Sequence, residues 1–167
     1  CKKYDIWNHI DAAYAGTALM LPENKYLIDG ISYADTFVFN PHKWMFTNFD
    51  CSAYYVKDRE ALINTFSILP EYLRTAEGER VNNYRDWGIA LGRRFRALKL
   101  WFVLRSFGTE ELKSKVRSHT QWAKELSGEV SSEENFEIMA PVPFATICFR
   151  FLPPGIDDIE EINRINN

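Results

Sequence analysis

The sequence predicts an α/β fold whose first half is built on a largely parallel sheet. Short apolar runs alternate there with segments of helical periodicity, the pattern of strands separated by crossover helices. Two of these runs are followed at once by polar side chains, Asp11 after the first and Asn40 after the second. Open α/β sheets bind ligands at the carboxyl ends of their strands, so we expect a functional site at this edge.

The first half of the chain is predicted to contain three strands and two helices. The strands are short apolar runs rich in β-branched and aromatic residues, and the helices carry Pro, Asp or Gly at their ends. The predicted strands cover Ile6–Ile10, Thr36–Phe39 and Ser52–Val56, and the predicted helices cover Pro22–Ile28 and Asp58–Phe66. Pro41 cannot continue the second strand as an interior residue, because it has no N–H to donate.

The stretch Ser67–Asp86 interrupts this alternation. It contains Pro70 and Gly78 and shows little apolar periodicity. A loop of this length inside a compact domain is usually a functional lid or a disordered segment, so the sequence predicts one of these two states.

The rest of the chain is predicted to form two helices and two strands. Five apolar residues recur at helical spacing: Leu91, Phe95, Leu98, Trp101 and Phe102. They predict an amphipathic helix that runs from Leu91 to Ser106 and stops at Gly108. The next predicted elements are a helix over Glu110–Leu126 and strands over Phe136–Met139 and Thr146–Phe151. We expect a domain change near Phe107, which divides the chain into residues 1–107 and 108–167.

Composition limits the possible partners. The chain has 167 residues, of which 46% are hydrophobic and 15% aromatic, and this is enough for one ordinary core. The net charge of −3 gives no general case for a nucleic-acid or membrane partner. A local basic cluster is predicted to be a solvated helix face whose stems pack on apolar surface. Its members are Arg93, Arg94, Arg96, Lys99 and Arg105.

Cysteine use and the chain ends point to a piece of an intracellular protein. Cys1, Cys51 and Cys148 are far apart and have no spacing typical of a metal site, so we expect no metal and a reduced, cytoplasmic compartment. No apolar run reaches the roughly eighteen residues of a membrane span. The sequence begins and ends in mid-pattern, so we expect an internal piece of a longer protein.

A lysine and an acid are the candidates for the chemistry. Lys43 follows the second strand in Asn-Pro-His-Lys-Trp, and Asp11 follows the first strand. Enzymes that use pyridoxal 5′-phosphate (PLP) need a lysine that binds the cofactor and an acid that pairs with its ring nitrogen. A lysine is activated by apolar surroundings. We expect these to come from Phe37, Phe39, Trp44 and Phe46.

Several segments of the chain carry a family resemblance. They include His-Ile-Asp-Ala-Ala-Tyr-Ala-Gly at 9–16, Asn-Pro-His-Lys-Trp at 40–44, Asn-Phe-Asp-Cys-Ser at 48–52 and Leu-Gly-Arg-Arg-Phe-Arg at 91–96. Together they resemble the group II PLP-dependent amino acid decarboxylases, and within them the aromatic-L-amino-acid (DOPA/tyrosine) decarboxylases. The resemblance implies fold type I, similar to aspartate aminotransferase. Residues 1–107 would be the C-terminal part of the PLP-binding large domain, and 108–167 the beginning of a small α+β C-terminal domain.

The resemblance implies roles for the residues around the cofactor. Lys43 matches the family's PLP-binding lysine, and Asp11 matches the residue that keeps the ring nitrogen protonated. Ala13 matches a small residue packed against the ring face. Asn40 and His42 match positions near the phosphate, with His42 also close to the substrate.

The resemblance also implies a substrate side and a partner subunit. Tyr72 matches a loop tyrosine that returns a proton to Cα, where aldehyde synthases tend to carry phenylalanine. Phe49 matches a contact of the aromatic pocket, and Gly92 matches a position where histidine decarboxylases tend to carry serine. The implied substrate is an aromatic L-amino acid, and the implied assembly is a cytoplasmic homodimer with the site at its interface.

Other functions stay open at this level. An aromatic aldehyde synthase, or a decarboxylase of histidine or glutamate, would keep Lys43 and Asp11. The chain could also be a catalytically incomplete fragment that acts only as an interface module. A nucleic-acid binder that uses Arg93 to Arg105 is a distant third possibility.

Overall fold

The structure is a computed structural model that describes residues 1–67 and 81–167. It divides into two compact units, Cys1–Ser106 and Phe107–Asn167. The first unit holds a three-stranded sheet of β1 (His9–Asp11), β2 (Thr36–Phe39) and β3 (Ala53–Val56), in that order. The second holds a two-stranded sheet of β4 (Phe136–Ile138) and β5 (Phe149–Phe151). The assignment of these parts to a large and a small domain stays a prediction.

The helices follow the predicted order, but one predicted helix is a 3₁₀ helix and one short α-helix was not predicted. The α-helices are α1 (Pro41–Trp44), α2 (Arg59–Phe66), α3 (Arg96–Ser132) and α4 (Ile159–Asn166). The described residues also form 3₁₀ helices at Lys2–Tyr4, Ala15–Met20, Pro22–Ile28, Ile31–Tyr33 and Tyr84–Trp87. The helix predicted over Pro22–Ile28 is therefore present, but as a 3₁₀ helix. The short helix α1, which carries Lys43, was not predicted.

The sheet of the first unit is mixed, which corrects the prediction of a largely parallel one. β1 pairs with β2 in parallel, with Asp11 opposite Val38. β2 pairs with β3 in antiparallel orientation, with Phe39 opposite Ala53. A parallel connection needs a crossover that returns to the other end of the sheet, usually through a helix of several turns. The segment between β2 and β3, residues 40–52, contains a helix of only four residues, α1, and turns back at the same end.

Strand β1 begins three residues later than predicted. Residues 6–8 are held by contacts outside the strand ladder: Trp7 Nε1 donates to Thr36 Oγ1 over 3.1 Å, and the Asn8 N–H donates to Asp35 Oδ2 over 2.7 Å. The strand β2 has the predicted bounds, and Pro41 is the first residue of α1. Asp58, predicted to begin α2, is instead its N-cap and accepts the Ala61 N–H.

The predicted helix over Leu91–Ser106 begins at Arg96 instead of Leu91. Leu91 and Phe95, whose spacing suggested the earlier start, are 67% and 74% exposed, so their spacing does not mark a buried face. Gly92 also disfavours helix, by roughly 0.5–1 kcal/mol relative to alanine. The predicted stop is confirmed, because Gly108 interrupts α3 with a φ of 74° and a ψ of 164°. These angles suit glycine, which has no Cβ to clash.

Each unit has a small core of its own. In the first unit the buried apolar residues include Ala18, Leu21, Trp44 and Cys51. In the second they are Leu112, Val116 and Ala123 of α3 and Ile162 of α4. Leu112, Val116 and Ala123 are four and seven residues apart, so they lie on one face of the helix. Among the described residues, none of the helices combines the length and apolar character that crossing a membrane requires.

Candidate active site at the carboxyl ends of β1 and β2

The parallel pairing of β1 and β2 brings two predicted cofactor residues to one edge of the sheet. Asp11 is the last residue of β1, and Asn40 directly follows β2. The ladder continues past the strands, because the Asn40 N–H donates to the Ala13 carbonyl over 2.9 Å. Ala13 and Asn40 therefore lie side by side. We call Asp11, Ala13, Asn40 and Lys43 the cofactor side of the candidate site.

Lys43 is presented by the single turn of α1. Pro41 and Trp44 are buried and lie three residues apart on the face that packs inward, whereas Lys43 is exposed. Trp44 is 5% exposed, and its ring stacks on Tyr14 with a centroid distance of 4.8 Å. The predicted apolar surroundings of Lys43 are therefore not formed by the described residues. Trp44 anchors the turn, and the lysine leaves it on the opposite side.

The acid of the cofactor side is oriented by its own turn. Asp11 Oδ1 accepts the N–H of Ala13 over 2.9 Å, and its other oxygen has no partner among the described residues. The side chain of Lys43 likewise has no hydrogen bond or ion pair within residues 1–67 and 81–167. A carboxylate and an amine that are exposed at the same strand edge fit the two charged requirements of PLP.

Asn40 is oriented by a residue to which the sequence assigned no role. The Ser52 hydroxyl donates to Asn40 Oδ1 over 2.6 Å, so the amide nitrogen of Asn40 is left as the donor. Such a donor suits the phosphate of PLP. Ser52 was part of the family motif, but its contact with Asn40 depends on the turn between β2 and β3, which the sequence did not predict.

His42 and Phe49 are in contact, and we call these two residues, together with the loop residue Gly92, the predicted substrate side. Their rings meet edge to face at a centroid distance of 4.9 Å. His42 Nδ1 lies 2.6 Å from the carbonyl oxygen and 3.0 Å from the backbone nitrogen of Cys51. Phe49 is 84% exposed. Gly92 lies in a loop, with no described atom within 4 Å of the place where a Cβ would stand.

A charged network lies next to the substrate side. Arg96 Nε donates to Asp50 Oδ2 over 2.9 Å, and Arg96 Nη2 forms an ion pair with the same oxygen at 2.8 Å. These bonds from Arg96 hold the pKa of the Asp50 carboxyl below its ordinary value, although partial burial opposes the shift. Asp50 in turn raises the pKa of Arg96. Burial raises the pKa of the neighbouring Cys51 thiol.

This network corrects the prediction that the basic cluster is a solvated helix face whose stems pack on apolar surface. Lys99 donates to the carbonyl oxygens of Asn48 and Asp50, over 3.0 and 2.6 Å. Arg96 and Lys99 are thus engaged in specific contacts, whereas Arg94 is 81% exposed and 3.9 Å from Asp50 Oδ1. The bond between Arg96 and Asp50 joins residues 46 positions apart, and no sequence pattern predicts it.

Tyr72, the predicted proton donor, lies outside the described residues. A mainly apolar cavity of about 550 Å³ lies on one face of the sheet. It is lined by Leu19, Ile28, Ile31, Phe37, Phe39 and Tyr55, among others, and by none of the predicted site residues within 1–67 and 81–167.

The sequence of this chain matches a family of known proteins. Residues 1–152 match the family described as the pyridoxal-dependent decarboxylase conserved domain. Tyrosine decarboxylase 1 of Narcissus pseudonarcissus is 49% identical over 98% of this chain and 34% of its own length. Phenylacetaldehyde synthase of a Rosa hybrid cultivar is 44% identical over 99% of this chain and 34% of its own length. The chain thus spans about a third of the length of these curated relatives.

A solved structure agrees with the fold. The crystal structure of Oryza sativa TDC with PLP and tryptamine superposes with a TM-score of 0.90 at 35% identity. The match covers 99% of this chain and 35% of that one. The predicted fold class, that of fold type I PLP enzymes, is confirmed. The predicted cofactor, PLP, agrees with the description of the matched family and is present in the Oryza sativa structure. The match of residues 1–152, together with these relatives, shows that the chain belongs to the pyridoxal-dependent decarboxylase family.

Proposed function

We propose that the full-length protein containing this chain decarboxylates an aromatic L-amino acid, such as DOPA, tyrosine or tryptophan, to its amine and CO₂. The observation that carries the proposal is the shared edge of β1 and β2, where Asp11 and Lys43 are both exposed. Tyrosine decarboxylase 1 and the rice structure with tryptamine support an aromatic substrate.

The residues of the cofactor side have distinct tasks. Lys43 would bind PLP through its amine, and its position on a turn anchored by Trp44 fixes where that amine begins. Asp11 would keep the ring nitrogen protonated, since a nearby negative charge favours the charged form of a base. Asn40 would donate to the phosphate. When bound, PLP supplies the electron sink that stabilises the electron pair left at Cα as CO₂ departs.

The substrate side orients the amino acid and completes the proton balance. Phe49 would contact the aromatic ring of the substrate, and His42 would lie near the phosphate and close to the substrate. One proton must return to Cα after CO₂ leaves, and we assign this step to Tyr72. The assignment rests on the family motif alone.

Assembly and location are part of the proposal. We infer a cytoplasmic homodimer with the site at its interface and with neither a nucleic acid nor a membrane as a partner. Exposed apolar side chains at the start of α3, including Leu98, Trp101 and Phe102, support a buried interface. Light scattering of the full-length protein would give twice the subunit mass, and a monomeric mass would contradict the dimer.

An aromatic aldehyde synthase is the second candidate function. The 44% identity to phenylacetaldehyde synthase favours it, whereas tyrosine at position 72 favours plain decarboxylation. The two reactions differ in their products. The decarboxylase releases CO₂ and the amine, whereas the synthase also oxidises the decarboxylated substrate with O₂ and water and so releases CO₂, an aldehyde, ammonia and hydrogen peroxide.

A product assay with a matched pair of variants tests the proposal. The full-length protein would be incubated with PLP and a panel of tyrosine, DOPA, tryptophan, histidine and glutamate, and CO₂, amine and aldehyde would be measured. We expect amine and CO₂ from the aromatic substrates, and loss of both in Lys43→Ala. Lys25→Ala removes an exposed lysine elsewhere and should leave turnover unchanged.

Chemical trapping gives an independent check. Borohydride reduction followed by peptide mapping should place a pyridoxyl group on Lys43. A pyridoxyl group on another lysine would contradict the assignment, and an aldehyde as the main product would favour the second function.

A further inference from the structure

The segment Asn48–Cys51 is held by side chains of another element. It lies between α1 and β3 and contains neither helix nor strand. The ammonium group of Lys99 donates to two of its carbonyl oxygens, over 3.0 Å to Asn48 and 2.6 Å to Asp50. A single cation therefore fixes the backbone on both sides of Phe49.

Arg96 holds the same segment through its side chain and its backbone. Its guanidinium donates from Nε to Asp50 Oδ2 over 2.9 Å, and its Nη2 lies 2.8 Å from the same oxygen. Its carbonyl oxygen lies 3.8 Å from Cys51 Sγ, which donates to it. Arg96 and Lys99 are three residues apart at the start of α3, so they project from one face of the helix.

The held segment supplies the surroundings of His42. The backbone of Cys51 meets Nδ1 of the imidazole, and the ring of Phe49 meets its edge. Both neighbours flank Asp50 in the chain. A shift of Asp50 would therefore move both groups that orient His42.

We infer that Arg96 and Lys99 are positioning residues of the substrate side, which hold segment 48–51 and through it the orientation of His42 and Phe49. The inference rests on the proposed function, because it concerns how the substrate side is shaped. Displacement of a positioning group by about 1 Å can slow a reaction about a hundredfold, so a distant anchor can influence substrate binding.

The charge balance of the network favours this role. Asp50 Oδ1 is buried and accepts no hydrogen bond from the described residues, and Lys99 Nζ and Arg94 Nη1 lie 4.0 and 3.9 Å from it. The three cations outnumber the one carboxylate. Removal of Lys99 thus leaves Asp50 paired with Arg96 but releases the backbone carbonyls of Asn48 and Asp50. A Lys99 variant therefore tests the position of segment 48–51 while the Arg96–Asp50 ion pair stays intact.

The test compares Lys99→Met with Lys99→Arg in the full-length protein loaded with PLP. Methionine keeps most of the stem but has no donor, whereas arginine can still donate to the carbonyls. For Lys99→Met we expect KM for tyrosine to rise about tenfold, with kcat per bound PLP changing less. Lys99→Arg should recover most of this loss. Lys25→Met, at an exposed position in the 3₁₀ helix Pro22–Ile28, is the control.

A second readout does not depend on activity. Nitrogen-15 NMR of histidine-labelled protein reports the ring nitrogens of His42, and Lys99→Met should shift them toward the values of an unrestrained imidazole. Unchanged His42 signals together with an unchanged KM would overturn the inference. If the wild-type protein decarboxylates nothing, the proposed function fails, and the NMR comparison still decides whether Lys99 positions His42.

Arg96→Lys is a second test, which keeps the inference testable if Lys99→Met fails to fold. Lysine keeps the charge next to Asp50 but cannot place two N–H groups on one oxygen with the planar geometry of arginine. We expect a smaller rise in KM and a smaller shift of His42 than in Lys99→Met. A loss of thermal stability with KM and the His42 signals unchanged would show a purely structural role and overturn the inference.

Discussion

On the cofactor side, the positions of Asp11, Ala13 and Asn40 come from backbone pairing within the chain, whereas the substrate side depends on side chains that reach in from α3. Asn40 donates to Ala13 as an extension of the β1–β2 ladder. Phe49 is instead held between carbonyls that Lys99 binds, and its ring is 84% exposed. Backbone pairing follows from strand register and survives most substitutions of side chains, but an anchor formed by one ammonium group does not.

Two glycines show the same contrast in packing. A Cβ on Gly16, which follows the cofactor side, would overlap the Cβ of Phe39 and lie 3.4 Å from the Cβ of Ala12. A Cβ on Gly92, on the substrate side, would meet no described atom within 4 Å. The backbone at Gly16, next to the cofactor side, is therefore closely packed by this chain alone, whereas Gly92 on the substrate side is open in it.

The largest expected effect comes from removing the anchor of the cofactor side. Trp44→Ala deletes a ring that is 5% exposed and stacked on Tyr14, and large-to-small substitutions of this kind cost about 3–5 kcal/mol. We expect a lower thermal midpoint and weaker PLP binding, because the turn that carries Lys43 loses its support. Trp122→Ala, at a ring that is 60% exposed, is the control. Equal losses of thermal midpoint and PLP binding in Trp44→Ala and Trp122→Ala would show that Trp44 does not anchor the cofactor side.

Substitution of the two glycines is expected to lower stability by an intermediate amount at Gly16 and by almost nothing at Gly92. Gly16→Ala should destabilise the full-length protein by about 1–3 kcal/mol, because the added methyl group has no space next to Phe39. Gly92→Ala should change stability by less than about 0.5 kcal/mol. Denaturant unfolding measures both. A stability loss at Gly92 as large as that at Gly16 would show that the substrate side is packed after all.

The smallest effect is expected from acid. The pKa of Asp50 is lowered in the folded protein by the bonds from Arg96, so the stability it contributes is fully present above the ordinary carboxyl pKa. It is lost as the pH falls through the lowered pKa. Asp50→Asn should therefore flatten the dependence of the thermal midpoint on pH in this acid range.

Glu161→Gln provides the comparison for the acid prediction. Glu161 pairs with Arg164 three residues away on α4, and these bonds lower its pKa in the same way. We expect both substitutions to flatten the acid profile, but only Asp50→Asn to increase hydrogen exchange at the Cys51 amide. An unchanged exchange rate at Cys51 would show that the ion pair does not hold the segment.

Much of the local structure was predictable because its signals are local. The apolar run of β2 and the proline after it predicted the strand with its correct ends. Asp58 was recognisable as a helix-start residue, although it proved to be the N-cap. The helix start at Leu91 was wrong, since the apolar spacing of Leu91 and Phe95 occurs in a loop that exposes both.

The candidate site was predictable as a set of residues but not as an arrangement. The family motifs predicted Lys43, Asp11, Asn40 and His42 as site residues from their neighbours in the chain, and their roles stay predictions. The motifs did not reveal that Ser52 orients Asn40, or that Cys51 and Phe49 surround His42. These contacts depend on the turn after α1, whose direction follows from the antiparallel pairing of β3.

The sequence by itself determined the fold class, the family and the residues available for PLP chemistry, because motifs and strand patterns are properties of neighbouring residues. Only the tertiary structure decided that β3 runs antiparallel, that Lys43 is exposed, and that Arg96 reaches Asp50 across 46 positions. The physical reason is that strand direction, burial and long-range pairing depend on contacts between distant segments. Such contacts exist only once the chain has packed.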